Sequence, residues 1–121
     1  MAIGAAFGVA GLPLPAVETG IALSAVILGL MVALAARPLL WVAAVIVGTF
    51  AVFHGYAHGR ELPDAANAVA YSAGFVVATG LLHLIGIGFG LFSRWTIGVV
   101  ATRAAGAAIA AGGVMFLSGY A

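Results

Sequence analysis

The sequence predicts an all-α, polytopic bundle of membrane-spanning helices, and three observations predict it. Of 121 residues, 65% are apolar and only 6% are charged. A soluble domain of this size carries about 25% charged residues to wet its surface. Apart from Arg103, the charges also fall between long apolar runs rather than within them, which is the pattern lipid imposes on a chain that crosses it repeatedly.

The elements follow from those gaps. A helix needs roughly 20 apolar residues to cross the hydrocarbon. Residues 1–12 are apolar but too short to span, and Gly11-Leu12-Pro13-Leu14-Pro15 breaks them. They have neither the basic start nor the cleavage site of a signal peptide. They read as the tail of a helix whose first half is absent, so the chain is expected to be truncated at its N-terminus. Residues 19–36 are uncharged and stop at Arg37-Pro38, where proline ends a helix. Residues 39–57 end in a cluster of Gly, His and charged residues. Residues 65–92 are long enough to demand a tilt, a kink or a start outside the bilayer. Residues 95–119 form the last run, interrupted by Arg103. The expectation is one transmembrane domain over 1–121, with four full spans and a partial first helix.

Composition excludes several function classes. Four basic residues make no phosphate-binding patch, so nucleic acid is not a partner. Without cysteine there are no disulfides and no thiolate metal sites. No P-loop, catalytic triad or H-E-x-x-H pattern is present, and no enzyme is expected. The partners are the lipid bilayer and a small ion. A partial bundle has an open face that homo-oligomerisation would cover.

Loop charges set the orientation. Arg37 and Arg94 share one side without acids; Glu18, Arg60, Glu61 and Asp64 share the other. The Arg-only side is expected in the cytoplasm of a bacterial inner membrane. That places the C-terminus and the His54–Asp64 segment in the periplasm. Gly86 and Gly90 form a G-x-x-x-G face suited to helix contact.

Ionisable groups are costly in hydrocarbon, so each one asks for a reason. His54 and His58 are four residues apart, which on a helix puts both imidazoles on one face. Glu61 continues that stripe if the helix persists. Two imidazoles and a carboxylate suit Ni2+, and equally Co2+, Zn2+ or Cu2+. Glu18 and Asp64, on the same side, are further oxygen donors or cation attractors. Against this stands the commoner role of such a pair as interfacial or capping residues, and a proton relay is a third reading. His83 lies in a stripe with Ser72, Thr79, Gly86 and Gly90, expected to face into the bundle. It is either a deeper metal stop or a satisfied core residue. Arg103 is expected to snorkel toward the cytoplasmic interface. A haem bound by His58 and His83, or a non-transporting structural subunit, is the alternative to metal permeation.

The segment F-H-G-Y-A-H-G-R-E-L-P, residues 53–63, resembles a signature of the HupE/UreJ family of nickel permeases, accessory proteins of hydrogenase and urease systems. G-L-P-L-P-A-V-E-T-G-I-A-L-S (11–24) and A-Y-S-A-G-F-V-V-A-T-G-L-L-H (70–83) resemble the family's preceding loop and following helix. The resemblance implies about six membrane helices, Ni2+ as the transported ion, and His54, His58 and Glu61 as metal contacts, with His83 a weaker candidate. The family's earlier H-P-x-x-G-x-D-H signature has no counterpart here, in keeping with the expected truncation.

Overall fold

The computed structural model describes residues 1–62 and 68–119. They form five helices: α1 (Ala2–Val9), α2 (Val17–Ala33), α3 (Leu40–Arg60), α4 (Ala68–Phe92) and α5 (Thr96–Leu117). Pro63, Asp64 and Asn67 lie outside the described residues. α3, α4 and α5, of 21, 25 and 22 residues, are long and apolar enough to cross a membrane. α2, also apolar, has 17 residues and measures about 25 Å at 1.5 Å per residue, so of the four full spans expected, three helices reach spanning length and the fourth is shorter. The chain is a multi-pass membrane protein.

The 19–36 run ends as a helix at Ala33 rather than at residue 36 for a local reason. Ala35 adopts a left-handed conformation (φ 52°), its N–H bonds to the Val32 carbonyl, and the Ala36 N–H bonds to the Met31 carbonyl. This is the Schellman closure of a helix, which usually takes glycine at that position. α1 closes in the same way at Gly11 (φ 69°), with Leu12 N–H bonding to the Phe7 carbonyl. An alanine in this region costs about 1–2 kcal/mol against glycine. Ala35→Gly is therefore expected to raise stability by up to about 1 kcal/mol, net of the added freedom of the unfolded chain. Thermal unfolding in detergent checks it; a lower midpoint would contradict the left-handed assignment.

Two compact units are present: residues 1–61 with 103–121, and residues 62–102. The first unit holds α1, α2, α3 and most of α5. Its contacts are made by glycine. A Cβ at Gly4 would strike the Val52 carbonyl, and one at Gly8 the Tyr56 carbonyl. Reciprocally, a Cβ at Gly55 would strike Met1, and one at Gly59 would strike Ala5. The two G-x-x-x-G faces thus lie backbone to backbone, with α1 parallel to α3, the close approach small residues permit in membranes. α2 runs antiparallel to α3, with Gly20 seated on the Phe53 ring. α5 runs antiparallel to α2, with Gly106 beside Gly29 and Gly113 beside Ala22 and Val26.

These registers bring the ends of α1, α3 and α5 and the start of α2 to one end of the unit. The other end carries Arg37 and Arg103. Arg103 Nε donates to the Ala33 carbonyl at 2.7 Å. That carbonyl is in the last turn of α2, where the helix has no donor left to give it and where its dipole favours a cation. The side chain reaches toward the Arg37 end, and its partner is a helix terminus.

The second unit holds α4 and the first turns of α5, joined by a tight turn. The Phe92 and Trp95 rings sit 5.9 Å apart across it. Within this unit a Cβ at Gly86 or Gly90 would meet nothing, so the close glycine contacts lie elsewhere than the G-x-x-x-G face singled out from sequence.

Candidate metal site on the third helix

α3 stays helical through both histidines and ends with Glu61 as its C-cap. It does so despite Gly55 and Gly59 in its last six residues, because α1 braces it there through backbone contact. The periodicity of the helix then decides what each side chain sees. Turning about 100° per residue, Val52, Gly55, Tyr56 and Gly59 meet α1, and Phe53 meets α2. His54, His58 and Glu61 fall on the remaining face, turned away from both helices.

His54 is half-buried, and its Nδ1 lies 3.1 Å from the Phe50 carbonyl one turn earlier. A carbonyl only accepts, so Nδ1–H donates and Nε2 is the ring nitrogen left to ligate. A hydrogen bond on one ring nitrogen fixing which one is free to ligate is the usual arrangement at metal sites. His58 Nδ1 lies 3.8 Å from Glu61 Oε2, with side chains 45% and 70% exposed. That separation is too long for a hydrogen bond. It fits an ion held by both atoms: bonds of about 2.1 Å give donor separations of about 3.4 Å at a tetrahedral angle and 4.2 Å across an ion. The negative end of the α3 dipole lies at the same place and favours a cation.

The sequence-derived candidates therefore separate. The structure brings His58 and Glu61 together and keeps His54 on their face, one turn back. Glu18 is exposed in the first turn of α2, at the level of the last turns of α3. It lies two residues before Gly20, hence on the side of α2 away from α3, and can attract cations without joining the ligands. His83 belongs to the other unit, is exposed, and hydrogen-bonds through Nδ1 to the Thr79 carbonyl at 2.7 Å. It is not a packed core residue of that unit. Among the described residues, no three of His, Asp and Glu are gathered closely enough to hold one ion.

Sequence reading passed over Tyr56. The residue is buried, 9% exposed, on the α1 side of α3, and its hydroxyl donates to the Leu12 carbonyl at 2.8 Å. A tyrosine between two small-residue positions near the end of a membrane helix was the available signal.

The family model described as "HupE / UreJ protein" matches residues 1–116. The chain is 46% identical over 119 residues to "Protein HupE" of Rhizobium leguminosarum bv. viciae. That alignment covers 98% of this chain and 62% of the relative, so the chain spans about three-fifths of that protein's length. No solved structure matches. A match along nearly the whole chain, including the segment that carries His54, His58 and Glu61, establishes that the chain belongs to the HupE / UreJ protein family.

Proposed function

We propose that the protein is a membrane permease for nickel or a similar divalent metal ion, supplying hydrogenase or urease maturation. The observation that carries this reading is the His58–Glu61 pair, 3.8 Å apart at the end of α3, with His54 one turn back on the same face of the helix. Family membership supports it. The ion is cargo, so the site must bind and release. Few fixed protein ligands suit that need, since conduction fails where binding is too tight.

In the proposed path, Glu18 and Glu61 raise the local cation concentration at the outer end. His58 and Glu61 replace part of the ion's water shell, and His54 Nε2 receives it one turn deeper. His83, on α4 in the other unit, is the weaker candidate for a metal contact. The Arg37 and Arg103 end faces the cytoplasm of a bacterial inner membrane, and the His54–Asp64 segment faces the periplasm, by the excess of Arg on one side. Entry into a negative interior supplies about 4.6 kcal/mol per 100 mV for a doubly charged ion, twice the single-charge figure.

Nickel uptake by cells expressing the protein tests the reading. His54→Ala and His58→Ala are each expected to reduce uptake at low external nickel at least about tenfold, the smallest loss typical of a disturbed metal shell. Uptake equal to wild type at equal membrane abundance would remove the histidines from the path.

A further inference from the structure

We propose that Tyr56 is a positioning residue for the metal-binding histidines, acting by locking the last turns of α3 to the connection between α1 and α2. The proposal rests on the metal reading of His54, His58 and Glu61 given above.

The histidines need helix exactly where helix is weakest. Each glycine in a helix interior costs about 1 kcal/mol relative to alanine, and Gly55 and Gly59 flank Tyr56 and His58. Fraying back from Glu61 would first turn His58 off the shared face and then His54. Opposing it on the far side of the helix is Tyr56, a buried residue whose backbone N and O face Gly4 and Gly8 of α1. Gly4 and Gly8 approach the Tyr56 backbone so closely that added Cβ atoms would collide or nearly so. The ring is thus held at its root by α1 and at its tip by the Leu12 carbonyl.

Leu12 is well chosen as an anchor. It follows the Schellman closure of α1 at Gly11, and its N–H is already bound to Phe7. The next residues, Pro13 to Pro15, lead to Ala16, a left-handed N-cap (φ 55°) that makes no side-chain hydrogen bond to α2. The connection between α1 and α2 therefore has few internal ties. One hydrogen bond spanning 44 residues joins it to the turn of α3 that carries the metal ligands. In apolar surroundings a tyrosine hydroxyl without its acceptor is costly, so the tie strongly favours one rotation of α3 about its axis. Ordering is reciprocal: what Tyr56 does for the histidines, a bound ion must do for the α1–α2 connection.

The test uses the full chain in lipid nanodiscs with Ni2+ alone as the probe. Tyr56→Phe keeps the ring and removes the tie. It is expected to raise the nickel Kd about tenfold, in the range of lost outer-shell support. A tyrosine that only stabilised the fold would lower the melting temperature and leave the Kd of the folded protein unchanged, and a Kd within twofold of wild type overturns the proposal. His54→Ala, measured alongside, separates the two ideas. Weakened binding in His54→Ala with normal binding in Tyr56→Phe defeats the positioning role alone. Normal binding in both defeats the metal reading and the proposal with it. Should Tyr56→Phe yield no folded protein, hydrogen exchange on the wild type decides. Ni2+ is expected to slow exchange of the Gly11 and Leu12 amides several-fold, although neither residue is a ligand; unchanged exchange overturns the proposal.

Discussion

Gly59→Leu is expected to separate α1 from α3 and to remove most folded protein. A Cβ at Gly59 would overlap the Ala5 carbonyl and stand 2.9 and 3.0 Å from the Ala5 carbonyl carbon and Cα. These are backbone atoms of a helix and cannot rotate aside as a side chain would. Overpacking a core typically costs 1–3 kcal/mol through side-chain rearrangement. Here the whole of α1 must move, so a loss of about 3 kcal/mol or more is expected. α1 is eight residues long and buries only Gly4 and Gly8. Its larger side chains, Ile3, Phe7 and Val9, are exposed, so the glycine contact is what seats it on α3. Moreover, the loss extends to the ligands, because α1 keeps the last turns of α3 helical. Gly48→Leu is the control: it lies on the same helix, and its Cβ would meet nothing. No loss is expected there, and a gain of up to about 1 kcal/mol, since leucine forms helix better than glycine. Unfolding by denaturing detergent, followed by circular dichroism, measures both. Equal stability of Gly59→Leu and wild type would mean that α1 does not lie on α3.

The second large effect concerns affinity. His58→Ala is expected to weaken Ni2+ binding about 100-fold, the upper end of losses at metal shells, and Glu61→Gln about tenfold. The double variant should bind little worse than His58→Ala alone. Two donors 3.8 Å apart that hold one ion act as a unit, and removal of the first ends most of what the second contributes. Calorimetric titration in nanodiscs reads all three. Strict additivity, about 1,000-fold for the pair, would mean that His58 and Glu61 do not share an ion.

Much of this molecule was legible in its sequence because lipid tolerates so few charges. The gaps between Arg37, Arg60, Arg94 and the acids outlined the long helices without help from periodicity. The misjudged details have local causes. The helix ending at Ala33 was read three residues too long, since Ala35 takes a left-handed conformation that alanine does not advertise. α3 was read as ending at residue 57, yet it reaches Arg60 because α1 braces its glycines from outside the segment. Gly86 and Gly90 drew attention as a contact face. The faces that do meet are Gly4 with Gly8 and Gly55 with Gly59, and spacing alone does not say which small-residue stripe finds a partner. Arg103 and Tyr56 bond to main-chain carbonyls, acceptors that every residue has and no pattern of side chains reveals. The His54, His58 and Glu61 stripe was readable because it depends on one helix and its period.

The modest length of α2 bears on the membrane itself. A hydrophobic segment of about 25 Å falls some 5 Å short of a typical hydrocarbon thickness of about 30 Å. Such mismatch costs fractions of a kcal/mol per Å and is relieved when lipid next to the protein thins. Tilting only worsens the deficit, so the mismatch favours an upright α2. Local thinning draws the two aqueous phases together beside α2. A divalent ion crossing there would meet a narrower dielectric barrier than the surrounding bilayer presents.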